Sequence, residues 1–64
     1  MRLGDRVFVT DVHGNKLLRL VVALDGGMVY VSREEEVEQS KRERRDPNCI
    51  GFRPSEVSPH KNHN

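Results

Sequence analysis

The chain has 64 residues, the size of one small domain, and its 11 basic and 10 acidic residues leave a net charge of +1, without the basic excess typical of dedicated nucleic-acid-binding proteins. A single cysteine excludes an internal disulfide and favours a reducing compartment. Because no run of about 20 apolar residues occurs, and Met1 to Asp5 lack the apolar run of a signal peptide, we expect no membrane segment and a cytoplasmic location.

Alternating apolar residues are the leading pattern in the first half of the chain. They predict three strands, at residues 3–10, 17–24 and 28–32, joined by glycine-containing turns at 13–15 and 25–27. In the second strand we assign one apolar face to the core and the alternate residues to the opposite face; the first set is Leu18, Leu20, Val22 and Leu24, and the second is Leu17, Arg19, Val21 and Ala23. Three strands joined by short turns indicate an antiparallel meander.

The periodicity changes after Ser32 and predicts one polar helix at roughly 33–45, ended by Asp46-Pro47. Ser32 and Glu35 have the spacing of a capping box, in which each side chain accepts a hydrogen bond from the other residue's backbone N–H. Glutamates at the start of the helix and basic residues at its end complement the helix dipole. Because Val37 is its one apolar residue, the helix is expected at the rim of the fold.

A short strand at 49–52 and a final bridge near Val57 are predicted after the helix, and residues 58–64 are predicted to form a flexible polar tail. Cys49, which precedes Ile50, is expected to be a buried thiol. The predicted core consists of the apolar residues on the inner strand faces: Leu3, Val7, Val9, Leu18, Leu20, Val22, Leu24, Val29, Val31, Ile50, Phe52 and Val57.

Together these elements predict an all-β fold, a small SH3-like antiparallel barrel of about five strands over residues 1–57 with one inserted polar helix. The opening segment Leu3-Gly4-Asp5-x-Val7-x-Val9 resembles the first strand of SH3-like barrels, including KOW and Tudor-like modules. This resemblance implies a fold and no particular function, because the same architecture carries many unrelated functions.

A second resemblance is to small RNA-binding translational regulators of the carbon-storage type. It covers Gly4-Asp5-x-Val7-x-Val9, Gly14-Asn15, Arg19-Leu20-x-Val22 and Val29-x-Val31-x-Arg33-Glu34-Glu35. The resemblance implies that Arg33, at the end of a strand, contacts RNA.

Phe8, Met28 and Tyr30 alternate with the inward valines and are expected to point outward. A small barrel seldom leaves such apolar area to water, so these residues are predicted to bind an unidentified protein or a second copy of the chain. The alternative is that the alkyl parts of the helix side chains and the tail cover them.

The basic residues at the end of the predicted helix, Lys41, Arg42, Arg44 and Arg45, are the strongest electrostatic feature of the sequence. Together with Arg19 and Arg33 they are the candidate nucleic-acid contacts of the alternative function, an RNA-binding module. The other interpretation is a helix end that favours cations, with Glu38 paired to Arg42.

No catalytic, metal or cofactor site is predicted. The serines lack the spaced histidine and aspartate partners of a catalytic triad, and Gly26-Gly27 is a hairpin turn rather than a phosphate-binding loop. His13 in a turn, and His60 and His63 in the polar tail, are expected to be solvated. The sequence therefore predicts a non-catalytic protein-interaction module.

Overall fold

Five antiparallel strands form a single sheet in the computed structural model, which describes residues 1–60. The strands are β1 (Arg6–Thr10), β2 (Lys16–Asp25), β3 (Met28–Ser32), β4 (Ile50–Phe52) and β5 (Val57–Pro59). The helix α1 (Glu34–Glu43) lies between β3 and β4, and a 3-10 turn (Pro54–Glu56) joins β4 to β5. The strand order is β4-β3-β2-β1-β5. The prediction of a small all-β fold with about five antiparallel strands and one inserted helix is confirmed.

The core consists of six valines, each no more than 8% exposed: Val7, Val9, Val21, Val29, Val31 and Val57. They come from β1, β2, β3 and β5, and Phe52 of β4 packs against them, whereas no residue of α1 belongs to this cluster. A sheet face stays open to water unless another layer covers it. Because α1 does not cover the valines, their burial requires the sheet to roll around them, with β4 at one edge and β5 at the other.

In the first half of β2, the residues that face the core are the ones that the sequence predicts on the outer face. Directly paired residues of antiparallel strands point to the same side of the sheet. Leu17 pairs with Val9 and Val21 pairs with Val31, so Leu17 and Val21 lie on the side of the buried valines. Leu18 lies on the outer side and is 39% exposed, so its assignment to the core is wrong.

A bulge then changes which residues of β2 face inward. The register shifts between Val21 and Ala23 and leaves Val22 without a pairing partner on β3. Beyond the bulge Leu24 pairs with Val29, on the inner side, although Leu24 is 45% exposed because it lies beside the hairpin turn. The predicted inward face is therefore wrong for the first half of β2, and beyond the bulge Leu24 lies on the predicted side.

Two further residues of the predicted core are exposed. Leu3 is 65% exposed because it lies in the turn before β1, where the following Gly4 N–H donates to the Val21 carbonyl oxygen at 2.8 Å. Ile50 is 66% exposed although it lies on the inner side of β4. For Leu3, Leu24 and Ile50 the core prediction is wrong, and each of the three lies at or beyond an end of its strand.

The capping box predicted at Ser32 and Glu35 does not form. Ser32 is buried, and its hydroxyl donates to the Asn48 carbonyl oxygen at 2.7 Å. The residue before the helix is Arg33, which has no side-chain capping hydrogen bond. The hydroxyl that was expected to cap α1 instead joins the end of β3 to the segment that leads into β4.

The helix ends at Glu43, earlier than predicted. Arg44 adopts the left-handed conformation (φ 56°), and the N–H of Arg45 donates to the Ser40 carbonyl oxygen at 3.0 Å. This arrangement closes a helix by satisfying its last carbonyl groups, and glycine more often occupies the left-handed position. The helix predicted at roughly 33–45 is confirmed, and its last helical residue is Glu43.

The described chain continues in regular structure past the predicted start of the tail. Ser58 and Pro59 belong to β5 and pair with β1, and the N–H of His60 donates to the Arg6 carbonyl oxygen at 3.1 Å. The tail prediction is wrong for Ser58 and Pro59. Residues 61–64, including His63, lie outside the described part of the chain.

Replacing Val21 with alanine tests the inward face of β2. Val21 is 1% exposed, so V21A removes buried methyl groups, leaves a cavity and is expected to lower the free energy of unfolding by about 2 kcal/mol. The control L18A changes the outer face of the same strand and is expected to cost below about 1 kcal/mol. Urea denaturation of both variants measures the difference. A larger loss for L18A than for V21A contradicts this register of β2.

Candidate functional site

The outward aromatic residues do not form one surface. Phe8 pairs with Leu18, whereas Tyr30 pairs with Ala23, so their partners on β2 lie roughly 15 Å apart along the strand. Residues of α1 and the residues of β2 between these two positions line a common cleft. Phe8 is thereby separated from Met28 and Tyr30.

Each of the aromatic residues predicted to bind a partner is engaged within the chain. The Tyr30 ring lies over Gly51 of β4, since a Cβ atom built on Gly51 would lie 2.8 Å from Tyr30 Cε1 and 3.4 Å from Met28 Cε. An aromatic side chain across from a glycine shields the bare backbone. Phe8 packs edge-to-face against His60, with the ring centroids 5.3 Å apart. These contacts give the aromatic residues structural roles, and their part in binding stays a prediction.

The helix divides the predicted nucleic-acid contacts into separate groups. Arg33 precedes α1 and Arg44 follows it, about 16 Å apart along the helix axis. At the C-terminal end Lys41, Arg42 and Arg44 are exposed, and none of the three forms an ion pair within residues 1–60. The predicted pairing of Glu38 with Arg42 is likewise not found within these residues.

Arg45 is the member of this group that is neutralised. Its guanidinium contacts Glu36 through Nη1 at 2.6 Å and Glu43 through Nε at 2.7 Å. The hydrogen bonds to Glu36 and then to Glu43 raise the pKa of Arg45 above its ordinary value. Arg45 therefore has little capacity left for an external phosphate.

A cleft of about 580 Å³ opens at one end of the rolled sheet, a volume in the range of protein ligand sites. We call it the mouth cleft and define it by its apolar lining residues: Val9, Val12, Leu17, Val31, Ile50 and Phe52. Ile50 pairs with Val31 and lies on the same side of the sheet, yet Val31 is 3% exposed and Ile50 is 66% exposed. The sheet therefore does not close over its own inner face at this end.

The wall of the mouth cleft comes from three parts of the fold. Val12, in the turn after β1, is 94% exposed, and Leu17 begins the inner face of β2. Ile50 and Phe52 are alternate residues of the edge strand β4 and line the cleft together. Cys49 lies beside them and is exposed, so its prediction as a buried thiol is wrong.

The two acidic residues that line the cleft are both engaged, and Asp11 is engaged within its own turn. Its carboxylate accepts the backbone N–H groups of His13 at 2.8 Å and Asn15 at 2.9 Å. The bond from Asn15 is the largest of the causes that lower the pKa of Asp11. The charge of Asp11 thus holds the β1–β2 turn together.

Glu36 is the second acidic residue of the cleft, and it ties α1 to the segment before β4. Its carboxylate accepts Arg45 Nη1 at 2.6 Å and the backbone N–H of Asn48 at 2.8 Å. The bond from Arg45, followed by that from Asn48, lowers the pKa of Glu36 to about 2, and the charge of Arg33 adds a smaller lowering. Glu36 is consequently ionised and paired at neutral pH.

Two arginines line the cleft with most of their donors unused. Arg19 pairs with Val7 and so begins on the inner side of β2, and its Nη1 donates to the Leu18 carbonyl oxygen at 2.8 Å. Arg33 is exposed, and its side chain forms no hydrogen bond or ion pair within residues 1–60. Since a guanidinium has five N–H donors, both side chains can take an external acceptor.

A second cleft, larger at about 790 Å³, lies between α1 and the outer side of the sheet. Charges of both signs line it, among them Glu38 and Lys41, and Arg6 contacts Glu34 there at 2.7 Å. Its lining includes none of the strongly exposed apolar residues that mark the mouth cleft. Exposed apolar area is the better indicator of a binding surface than volume, so the mouth cleft is the candidate site.

Comparison with known proteins finds no matching family model, no matching curated protein and no matching solved structure. Within residues 1–60, no helix has the length and apolar content needed to cross a membrane. The same residues contain no group of three or more histidine, cysteine, aspartate or glutamate side chains arranged to hold a metal ion.

The sequence predicts part of the mouth cleft. Arg19 and Arg33, both predicted nucleic-acid contacts, line it. The apolar wall is not predicted, because the alternation assigns Leu17 to the outside and Ile50 and Phe52 to the core. One feature of the sequence does indicate the cleft. Arg19 stands between Leu17 and Val21 in the same alternate series, and a charged residue is almost never fully buried, so this series must reach solvent near Arg19.

Replacing Glu36 with glutamine tests the bonds that hold the cleft wall. The pKa of Glu36 is about 2 in the folded state and about 4.3 in the unfolded state. Its carboxylate therefore stabilises the fold fully above the unfolded pKa, and this stabilisation is lost as the pH falls toward the folded pKa. Wild-type stability is therefore expected to fall across this interval, and E36Q is expected to be less stable at neutral pH with a smaller fall. Thermal unfolding followed by circular dichroism measures both.

The control for E36Q is E38Q, which makes the same charge change on the same helix. Glu38 forms no ion pair within residues 1–60, so E38Q is expected to keep the wild-type pH dependence. Equal pH dependence of E36Q and wild type shows that Glu36 does not make these bonds in solution.

Proposed function

We propose that the chain is a non-catalytic module that binds a segment of another protein in the mouth cleft. The observation that carries the proposal is the exposure of Ile50, which lies on the inner side of the sheet beside a buried valine. Apolar side chains that continue a core and remain open to water form the centre of many protein interfaces, while charged groups surround them. Here Arg19 and Arg33 occupy the surrounding positions.

The composition of the cleft supports binding rather than catalysis. Within the described residues, no histidine lines the mouth cleft, so Cys49 and Asp11 have no imidazole partner there. Asp11 is already engaged by backbone N–H groups. A cytoplasmic location belongs to the proposal, because an exposed single thiol such as Cys49 stays reduced there.

Substituting the exposed wall residues tests the proposal without disturbing the core. Val12 and Ile50 are 94% and 66% exposed, so V12S combined with I50S is expected to keep the fold. Random peptides displayed on phage are selected on the wild-type protein. The recovered peptides are expected to bind the V12S/I50S variant about 30-fold more weakly, because the two lost apolar contacts cost about 1 kcal/mol each.

The matched control is L3S combined with L24S, which removes two exposed leucines, 65% and 45% exposed, outside the cleft. Recovered peptides are expected to bind this control like the wild type. Amide NMR spectra of both variants establish that they are folded. The proposal fails if selection recovers no peptide, or if the peptides lose affinity equally for both variants.

RNA binding is the second candidate function, and it is favoured because Arg19 and Arg33 line the same cleft. Binding through phosphate contacts weakens steeply with salt. If RNA is the ligand, a mixed-sequence single-stranded RNA is expected to shift the amide resonances of Arg19 and Arg33 at low salt, and the shifts are expected to fade at moderate salt. The absence of shifts at low salt removes this candidate.

A further inference from the structure

The charged residues of the mouth cleft, in addition to its apolar wall, indicate which chemical groups a ligand would carry. This inference rests on the proposed protein-binding function. Four charged residues line the cleft: Asp11, Arg19, Arg33 and Glu36. Their formal charges cancel. Their availability differs, because the acidic and basic members are engaged to different degrees by other groups of the chain.

The carboxylates of both acidic residues already accept hydrogen bonds from other groups of the chain. Asp11 accepts N–H donors of the β1–β2 turn, including Asn15 Nδ2 at 3.4 Å. Glu36 accepts both Nη1 and Nη2 of Arg45, at 2.6 and 3.3 Å, and the N–H of Asn48 at 2.8 Å. Glu36 therefore forms an ion pair with Arg45, a residue that does not line the cleft.

The basic members remain available. Arg19 makes one side-chain hydrogen bond within residues 1–60, to the neutral carbonyl of Leu18, and Arg33 makes none. Because the carboxylates of Asp11 and Glu36 already accept hydrogen bonds from the chain, the unused polar groups of the cleft are the guanidinium donors of Arg19 and Arg33. Guanidinium groups bind carboxylates with paired hydrogen bonds, which are among the stronger polar contacts in proteins.

We infer that the mouth cleft takes a partner-protein segment in which an apolar side chain is flanked by carboxylates. The apolar side chain lies against Leu17, Ile50 and Phe52, and the carboxylates accept hydrogen bonds from Arg19 and Arg33. Phosphate would satisfy the arginines equally well. A peptide is favoured over RNA because the apolar wall is the larger part of the cleft, and because the exposed basic cluster of Lys41, Arg42 and Arg44 lies at the far end of α1.

The test uses short synthetic peptides that differ only in the residues beside a central leucine: aspartate, serine or lysine. They are titrated into the labelled protein and followed by amide NMR. The aspartate peptide is expected to bind about 10-fold more tightly than the serine peptide, and the lysine peptide more weakly than either. The resonances of Leu17, Arg19 and Ile50 are expected to shift.

Two double variants separate the inference from a general charge effect. R19Q with R33Q is expected to bind the aspartate and serine peptides with equal affinity. R42Q with R44Q removes the same charge at the far end of α1 and is expected to keep the wild-type preference. If R42Q/R44Q loses the preference as strongly as R19Q/R33Q, general attraction explains it and the inference is overturned.

The remaining outcomes distinguish the inference from the function on which it rests. Equal binding of the aspartate and serine peptides to the wild type overturns the inference and leaves the protein-binding function standing. If no leucine peptide binds, both the inference and the protein-binding function are overturned. Single-stranded RNA that displaces the aspartate peptide assigns the cleft to nucleic acid and overturns the inference. Line broadening that grows with protein concentration, and is abolished by V12S/I50S, assigns the cleft to a second copy and overturns it too.

Discussion

The pairing of β2 with valine-bearing strands on both of its sides is the constraint on which the rest of the structure depends. Val21 lies opposite Val31, and Leu17 lies opposite Val9. A slip of one residue would turn these side chains to the outer side and expose the core. Because this register also places Arg19 opposite Val7, the packing of the core itself brings a guanidinium to the mouth cleft.

The polar helix α1 has its structural role through hydrogen bonds rather than burial. Glu36 accepts the N–H of Asn48 while Ser32 donates to the carbonyl oxygen of the same residue, so both backbone polar groups of Asn48 are held. Isolated surface ion pairs contribute little to stability. Their effect here is positional, since fixing Asn48 sets where β4 begins and hence where Ile50 stands. A helix with one apolar residue thereby shapes an apolar site.

The number of strands, their antiparallel order along the chain and the inserted helix could be predicted because alternation and glycine turns act over a few residues. The faces of β2 could not, because Val22 bulges in the middle of an apolar run where no glycine or proline marks the irregularity. The mouth cleft could not be predicted from the sequence for a related reason. Alternation tells which side a residue such as Ile50 faces, and not whether the rolled sheet closes over that side.

The composition of the core is consistent with a sheet that stays open at the mouth cleft. Its buried apolar residues are all valines, and none of the larger aliphatic or aromatic side chains of residues 1–60 is fully buried. The five strands enclose these valines without closing over Ile50 at the edge. A ligand side chain seated there extends the core, so occupancy and stability are linked. Ligand at about 100 times its Kd would stabilise the fold by about 2.7 kcal/mol, a large share of what so small a domain holds.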